Sequence, residues 1–213
     1  MPSITRANLV SRVYSRLEGN SAFYPLEEVS DAINEAIRLI NLITGFLQAT
    51  GTVTTVAGQS IYSVPSSVLI PTRVSLNGRY LNKTTVRRLG HAEPTWMRDT
   101  TATTHRPTQD WCPIGLKSFA IYPADANSGK ILSVTGVAEP TILVNDSDAI
   151  QYPSEFADAI EEYAAHACMI KGGGTVSKAA MVSYQGFMAR IQELRRYKAK
   201  ISPRFRVEVE QEK

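Results

Sequence analysis

Cysteine is scarce. Only Cys112 and Cys168 occur among the 213 residues, too few for a disulfide framework and without metal-ligand spacing. No apolar run approaches the ~20 residues that a transmembrane helix needs, so no membrane partner is expected. Residues 1–6 lack the apolar core of a signal peptide, and no export route is expected. A strong charge of one sign is also missing. Lys+Arg number 23 and Asp+Glu 20, and the net +3 is too mild to announce a nucleic-acid binder by itself. What is present is core material. Hydrophobic residues make up 43% and charged residues 20%, which argues for a buried core and against wholesale disorder. A soluble protein of one domain, or two small ones, made in a reducing compartment is the expectation.

Hydrophobic period divides the chain. Val10, Val13, Tyr14 and Leu17 fall on one helical face, with Ser3 as a cap and Gly19-Asn20 as a stop. Leu26, Val29, Ile33, Ile37 and Ile40 line a second helix, opened by Pro25 with Glu27 and Glu28 and closed by Gly45. The period then changes to two. Runs at 52–56 and 60–64 predict a hairpin around 57–59. Asn77-Gly78 between 73–76 and 79–81 predicts a type I′ hairpin, because both residues accept positive φ. Residues 84–112 predict a long loop with short elements, and 118–122 and 130–137 predict two more strands. Helical spacing returns with Phe156, Ile160, Tyr163, Ala167 and Ile170, then with Val176, Ala180, Tyr184, Phe187, Ile191 and Leu194. The predicted fold is α+β: a four-helix bundle formed by N- and C-terminal helix pairs, with an inserted, mainly antiparallel β domain. The expected division is 1–45, 46–152, 153–200 and an extended tail 201–213.

Motifs for chemistry are weak. Glu162 and His166 share a helical face but lack a third ligand, so they predict a polar face rather than a metal site. Lys171-Gly172-Gly173-Gly174-Thr175 lacks phosphate-loop spacing and follows a helix, so it predicts a cap and a reversal. His91, His105 and Cys112, with the carboxylates Glu93, Asp99 and Asp110, occupy the irregular segment without a nucleophile motif or a fixed orienting group. No enzyme, cofactor or metal is predicted. The tryptophans Trp96 and Trp111 are expected to pin that segment to the sheet.

Charge distribution says more. Seven basic residues lie between Arg190 and Arg206 against the single acid Glu193. Beyond Pro203, the apolar Phe205, Val207 and Val209 alternate with Arg206, Glu208 and Glu210, a pattern suited to adding a strand to a partner's sheet edge.

The order of these features resembles a family. Residues 24–37, then Ile61-Tyr62-Ser63-Val64-Pro65, residues 73–81, Pro94-Thr95-Trp96, Trp111, Phe119-Ala120-Ile121-Tyr122-Pro123 and Tyr152-Pro153 resemble the head-to-tail adaptor proteins of tailed bacteriophages. The resemblance is to the tail tubular protein A type of short-tailed phages. It implies a virion protein of the tail or neck, assembled in the host cytoplasm. It also implies a ring of about twelve copies that meet through heterologous faces. Its partners would be the portal protein and a tail nozzle or next neck protein. Double-stranded DNA would pass through the channel without sequence-specific binding. On this reading Arg195, Arg196, Arg204, Phe205, Arg206, Val207 and Val209 are expected to meet the portal. Trp96, Arg98, His105, Arg106 and Trp111 are expected to meet a neighbouring subunit or the tail component. The alternative is a DNA-binding protein that uses the helix–Gly172-Gly173-Gly174–helix unit and the basic run.

Overall fold

The computed structural model describes residues 4–92, 94, 96, 107–171 and 176–201. Helices and antiparallel sheets both occur, so the fold is α+β, as expected. The chain divides into two compact units, Met1–Phe46 with Pro140–Lys213, and Leu47–Glu139. Residues 140–152, read from sequence with the strands, thus belong with the helices.

Helix α1 (Arg6–Arg16) opens at Thr5, whose hydroxyl accepts a hydrogen bond from the Asn8 N–H. The expected cap, Ser3, lies outside the described residues. Leu9, Val13 and Leu17 form its buried face, with Leu9 rather than Val10 pointing inward. Helix α2 (Leu26–Thr44) starts behind Pro25, with Glu27 and Glu28 in its first turn. Gly45 ends it in the left-handed region at φ 55°. Val29, Ile33, Ala36, Ile37 and Ile40 are buried along one face.

The second unit holds β1 (Gln48–Thr54), β2 (Ile61–Ser63), β3 (Val68–Leu76), β4 (Arg79–Tyr80), β5 (Asn82–Lys83), α3 (Val86–Ala92), β6 (Asp110–Pro113), β7 (Ser118–Tyr122) and β8 (Ile131–Ala138). These strands form two sheets, β1-β8-β3-β4 and β2-β7-β6-β5. Only β5 and β6 pair in parallel. The hairpin expected from 52–56 and 60–64 does not form. Strand β1 pairs with β8 from Gln48↔Val137 to Thr54↔Ile131, and β2 pairs with β7 in the other sheet. The Tyr62 hydroxyl explains the divergence. It donates toward the Val56 and Gln59 carbonyls and accepts from the Val56 N–H, bracing the 56–59 turn so that the chain crosses between sheets. The Asn77-Gly78 hairpin is present, with φ 46° and 83° at the two turn residues. The core between the strands contains Tyr62, Val74, Trp111, Phe119, Ile121 and Leu132. At its other end β1 begins beside the finish of β8, where the Ala138 N–H donates to the Leu47 carbonyl at 2.9 Å.

The chain then runs through 140–152 without helix or named strand, reversing in a turn at 145–148. Here Asn34 in α2 makes a two-way pairing with Leu143, donating to its carbonyl at 3.2 Å and accepting from its N–H at 2.9 Å. A 3-10 turn at Ser154–Phe156 leads into α4 (Ala157–Ile170), and α5 (Val176–Ile201) follows. Helix α4 packs against α1, α2 and α5 and is accordingly the most apolar, with Ile160, Ala164, Ala165 and Cys168 buried. Helix α5 buries Ala180, Phe187, Ile191 and Leu194, as its spacing predicts. Tyr184, expected in the same face, is 38% exposed and lies against the His166 ring at 4.9 Å between centroids.

Candidate functional site

Among the described residues, both cysteines and the charged groups of α4 are buried or already bonded. Cys112 and Cys168 are both buried, and burial pushes both thiols up, that of Cys168 to about 11. Neither therefore offers a thiolate near neutral pH. Glu161 is buried in α4 and gripped by Arg12 and Arg16 of α1, with Arg12 Nε 2.7 Å from Glu161 Oε2. Arg16 also reaches Glu162 at 3.0 Å, and Arg12 donates to Asp158 at 2.5 Å. His166 Nδ1 lies 2.8 Å from the Ala180 carbonyl, tying α4 to α5. These side chains act as cross-braces between helices. Among the described residues no group of three or more His, Cys, Asp and Glu is arranged to hold a metal ion. No described helix is long and apolar enough to cross a membrane.

The residues expected to make partner contacts fall into three groups. Arg195 and Arg196 are exposed near the end of α5. Trp96 and Trp111 are buried within the subunit, 3% and 1% exposed. Trp96 packs with Leu89, Cys112 and Ala120, and Trp111 belongs to the core between the strands. An indole enclosed by its own unit has no face left for a neighbour. Arg98, His105, Arg106, Arg204, Phe205, Arg206, Val207 and Val209 lie outside the described residues, as do Glu93, Asp99 and Gly172 to Gly174.

Two apolar surfaces escaped the periodicity argument. The first is an open groove of about 480 Å³ lined by Leu26, Ser30 and Asn34 of α2 and by Ile142, Leu143 and Val144. Leu143 is buried, while its neighbours Ile142 and Val144 are 67% and 69% exposed. The segment that presents them is fixed. Arg6 bonds to Asp146 and to Ser30, and Asp148 accepts the Val144 and Asn145 N–H groups at 2.8 Å. Those N–H donors, chiefly that of Asn145, hold the Asp148 carboxyl below the ordinary aspartate range. The second surface is the outer side of α5, where Met181 and Val182 are 53% and 67% exposed and Met188 is also exposed. The signals in the sequence were the unassigned run Ile142-Leu143-Val144 behind Pro140 and the apolar residues off the inward stripe of α5.

Exposed apolar surfaces of this kind mark sites of protein–protein contact. Residues 4–208 match the family model described as SU10 adaptor protein. The chain belongs to the SU10 adaptor family. As an SU10 adaptor it is a bacteriophage structural protein of the head-tail adaptor type, a component of the virion neck. The family is structural and is not known for catalysis. No curated protein matches this SU10 adaptor.

Proposed function

We propose that the protein forms a homo-oligomeric ring that joins the capsid portal to the tail, in the manner of the tail tubular protein A type, and continues the DNA channel. The observation that carries this reading is the family match across residues 4–208, which takes in both compact units. Separate helical and β units give one subunit distinct surfaces for lateral and axial contacts. The exposed Arg195 and Arg196 and the segment 204–209 are assigned to the portal, and the DNA passes without sequence-specific binding. A channel wall rich in phosphate contacts would retain DNA at every step, so the basic end of α5 is better placed against protein. Around a ring the copies act together through effective concentration.

Negative-stain microscopy of the purified protein, alone and with portal-bearing heads, tests the reading. A ring on the portal vertex is expected. Monomers only, on heads and in solution, would refute it. Deleting residues 203–213 should leave the fold intact and abolish attachment to heads.

A further inference from the structure

We infer that the lateral contact between copies is formed by the outer ridge of α5 in one copy seated in the groove between α2 and residues 142–144 of the next. This rests on the ring reading and assigns its faces. The groove is concave, with Leu26, Leu143 and Val144 among its lining residues; Glu27 and Asp31 line it and are exposed, while its one described lining cation, Arg6, is nearly buried and paired with Asp146. Glu27 and Asp31 are four apart on α2, so their like charges repel across one helical turn. Both are exposed, and no described cation pairs with either. The α5 ridge is convex. Met181, Val182 and Met188 stand out from it, with Gln185 and Ala189 between them, and Lys178 lies one turn before Val182. Its opposite side is already used, since Phe187, Ile191 and Leu194 are buried.

One chain thus carries a concave apolar surface with an acidic rim and a convex apolar surface with a basic end. The two are opposite in sign, and among the described residues of its own unit neither has a cover. A second copy supplies both covers at once. Because the two surfaces differ, the contact is heterologous, the type that propagates head to tail and closes a ring when the rotation per copy permits. Ile142 and Val144 are suited to the task because the segment is held before docking. The Asn34 amide and the Asp148 carboxylate bond its backbone, and the Arg6 guanidinium ties the Asp146 side chain to Ser30 of α2, so little ordering remains to oppose the contact.

Cysteine cross-linking tests the pairing. Cys112 and Cys168 are buried with raised pKa values and leave the background low. Ile142→Cys and Val182→Cys are prepared separately, checked for parental circular dichroism, assembled into rings and oxidised. The mixture is expected to give a cross-linked dimer about tenfold above either variant alone, and the double variant a ladder of multimers. In a second arm, Glu27→Lys with Asp31→Lys should weaken ring formation about fivefold or more, and Lys178→Glu in the same chain should restore part of it. Rings that form normally without the 142–182 cross-link would overturn the inference and leave the ring reading standing. Self-linking of Ile142→Cys, or its linking to the portal or a tail protein, would also overturn it. Absence of rings from the parental protein, even on portal-bearing heads, would remove the ring reading and this inference with it.

Discussion

Replacing Gly136 by Ala should cripple the β unit, while Gly90→Ala should not. Gly136 lies in β8 opposite Pro71, between two register shifts in its pairing with β3. A Cβ at 136 would stand 2.1 Å from the Ile70 carbonyl oxygen and 2.8 Å from Val68 Cγ1. The obstacle is backbone, so β3 must retreat by more than an ångström. Overpacking of this kind costs about 1–3 kcal/mol. Ladder bonds stretched by the retreat add about 1 kcal/mol each. The lower backbone entropy of Ala in the unfolded chain offsets about 0.5–1 kcal/mol. The net loss is about 2–4 kcal/mol, a fall in Tm of roughly 10–20 °C for a unit of this size. Gly90, in α3, has no described atom beyond its chain neighbours and its own helix backbone within 4 Å of its added Cβ and is expected to gain up to about 1 kcal/mol. Both tryptophans, Trp96 and Trp111, are buried in the β unit, so thermal unfolding followed by tryptophan fluorescence reads that unit directly. If Gly136→Ala melts within about 2 °C of the parent or no lower than Gly90→Ala, the close approach of β3 and β8 described here is wrong.

Three further outcomes are expected. Phe187→Ala empties a fully buried site whose ring lies 5.1 Å from that of Tyr163, and should cost about 3–5 kcal/mol in far-ultraviolet circular dichroism melts. At pH 8 a thiol-reactive chromogen should leave native Cys112 and Cys168 unmodified and label both in urea; rapid labelling of the native protein would contradict their burial. Asp148 has a lowered carboxyl pKa in the folded chain, so its stabilising effect is complete above the ordinary aspartate value and is lost as pH falls through the lowered one. Amide-exchange protection at Val144 and Asn145 should follow that titration and lose its pH dependence in Asp148→Asn. A carboxyl resonance titrating at or above the ordinary value would count against the loop geometry.

The helices and the Asn77-Gly78 turn were legible because their signals are local. Gly45 occupies the left-handed cap, and Asn77 and Gly78 take the positive φ values that a two-residue hairpin demands. Strand partners were not legible. The runs at 52–56 and 60–64 are adjacent in sequence, yet a tyrosine hydroxyl bracing the turn sends them to different sheets. Gly136 was a hint, since glycine inside a strand marks a bulge or a close approach. The indoles showed the opposite limit. The family resemblance placed them at a contact surface, the residues read alone pinned them to the sheet, and Trp96 and Trp111 fill the interior of the β unit. Ile142 and Val144 went unassigned because a segment clamped by side chains from two helices has no period of its own. Their exposure depends on Asn34 and Arg6, more than a hundred positions away in the chain.

The pairing of β1 with β8 makes the β unit a cassette. The strand that enters it and the strand that leaves it lie side by side, and the Leu47 carbonyl accepts a bond from the Ala138 N–H at the junction. Paired antiparallel strands are about 5 Å apart, so the two ends are a short peptide's reach from one another. A chain in which residue 46 is joined to residue 140 through two or three glycines therefore has no large gap to span. Equally, 47–139 can be produced alone with its ends already adjacent, or rejoined with new termini at the exposed Gly115-Leu116 tip. Such a junction lets the β unit be exchanged for one of another length without opening a gap in the helical scaffold.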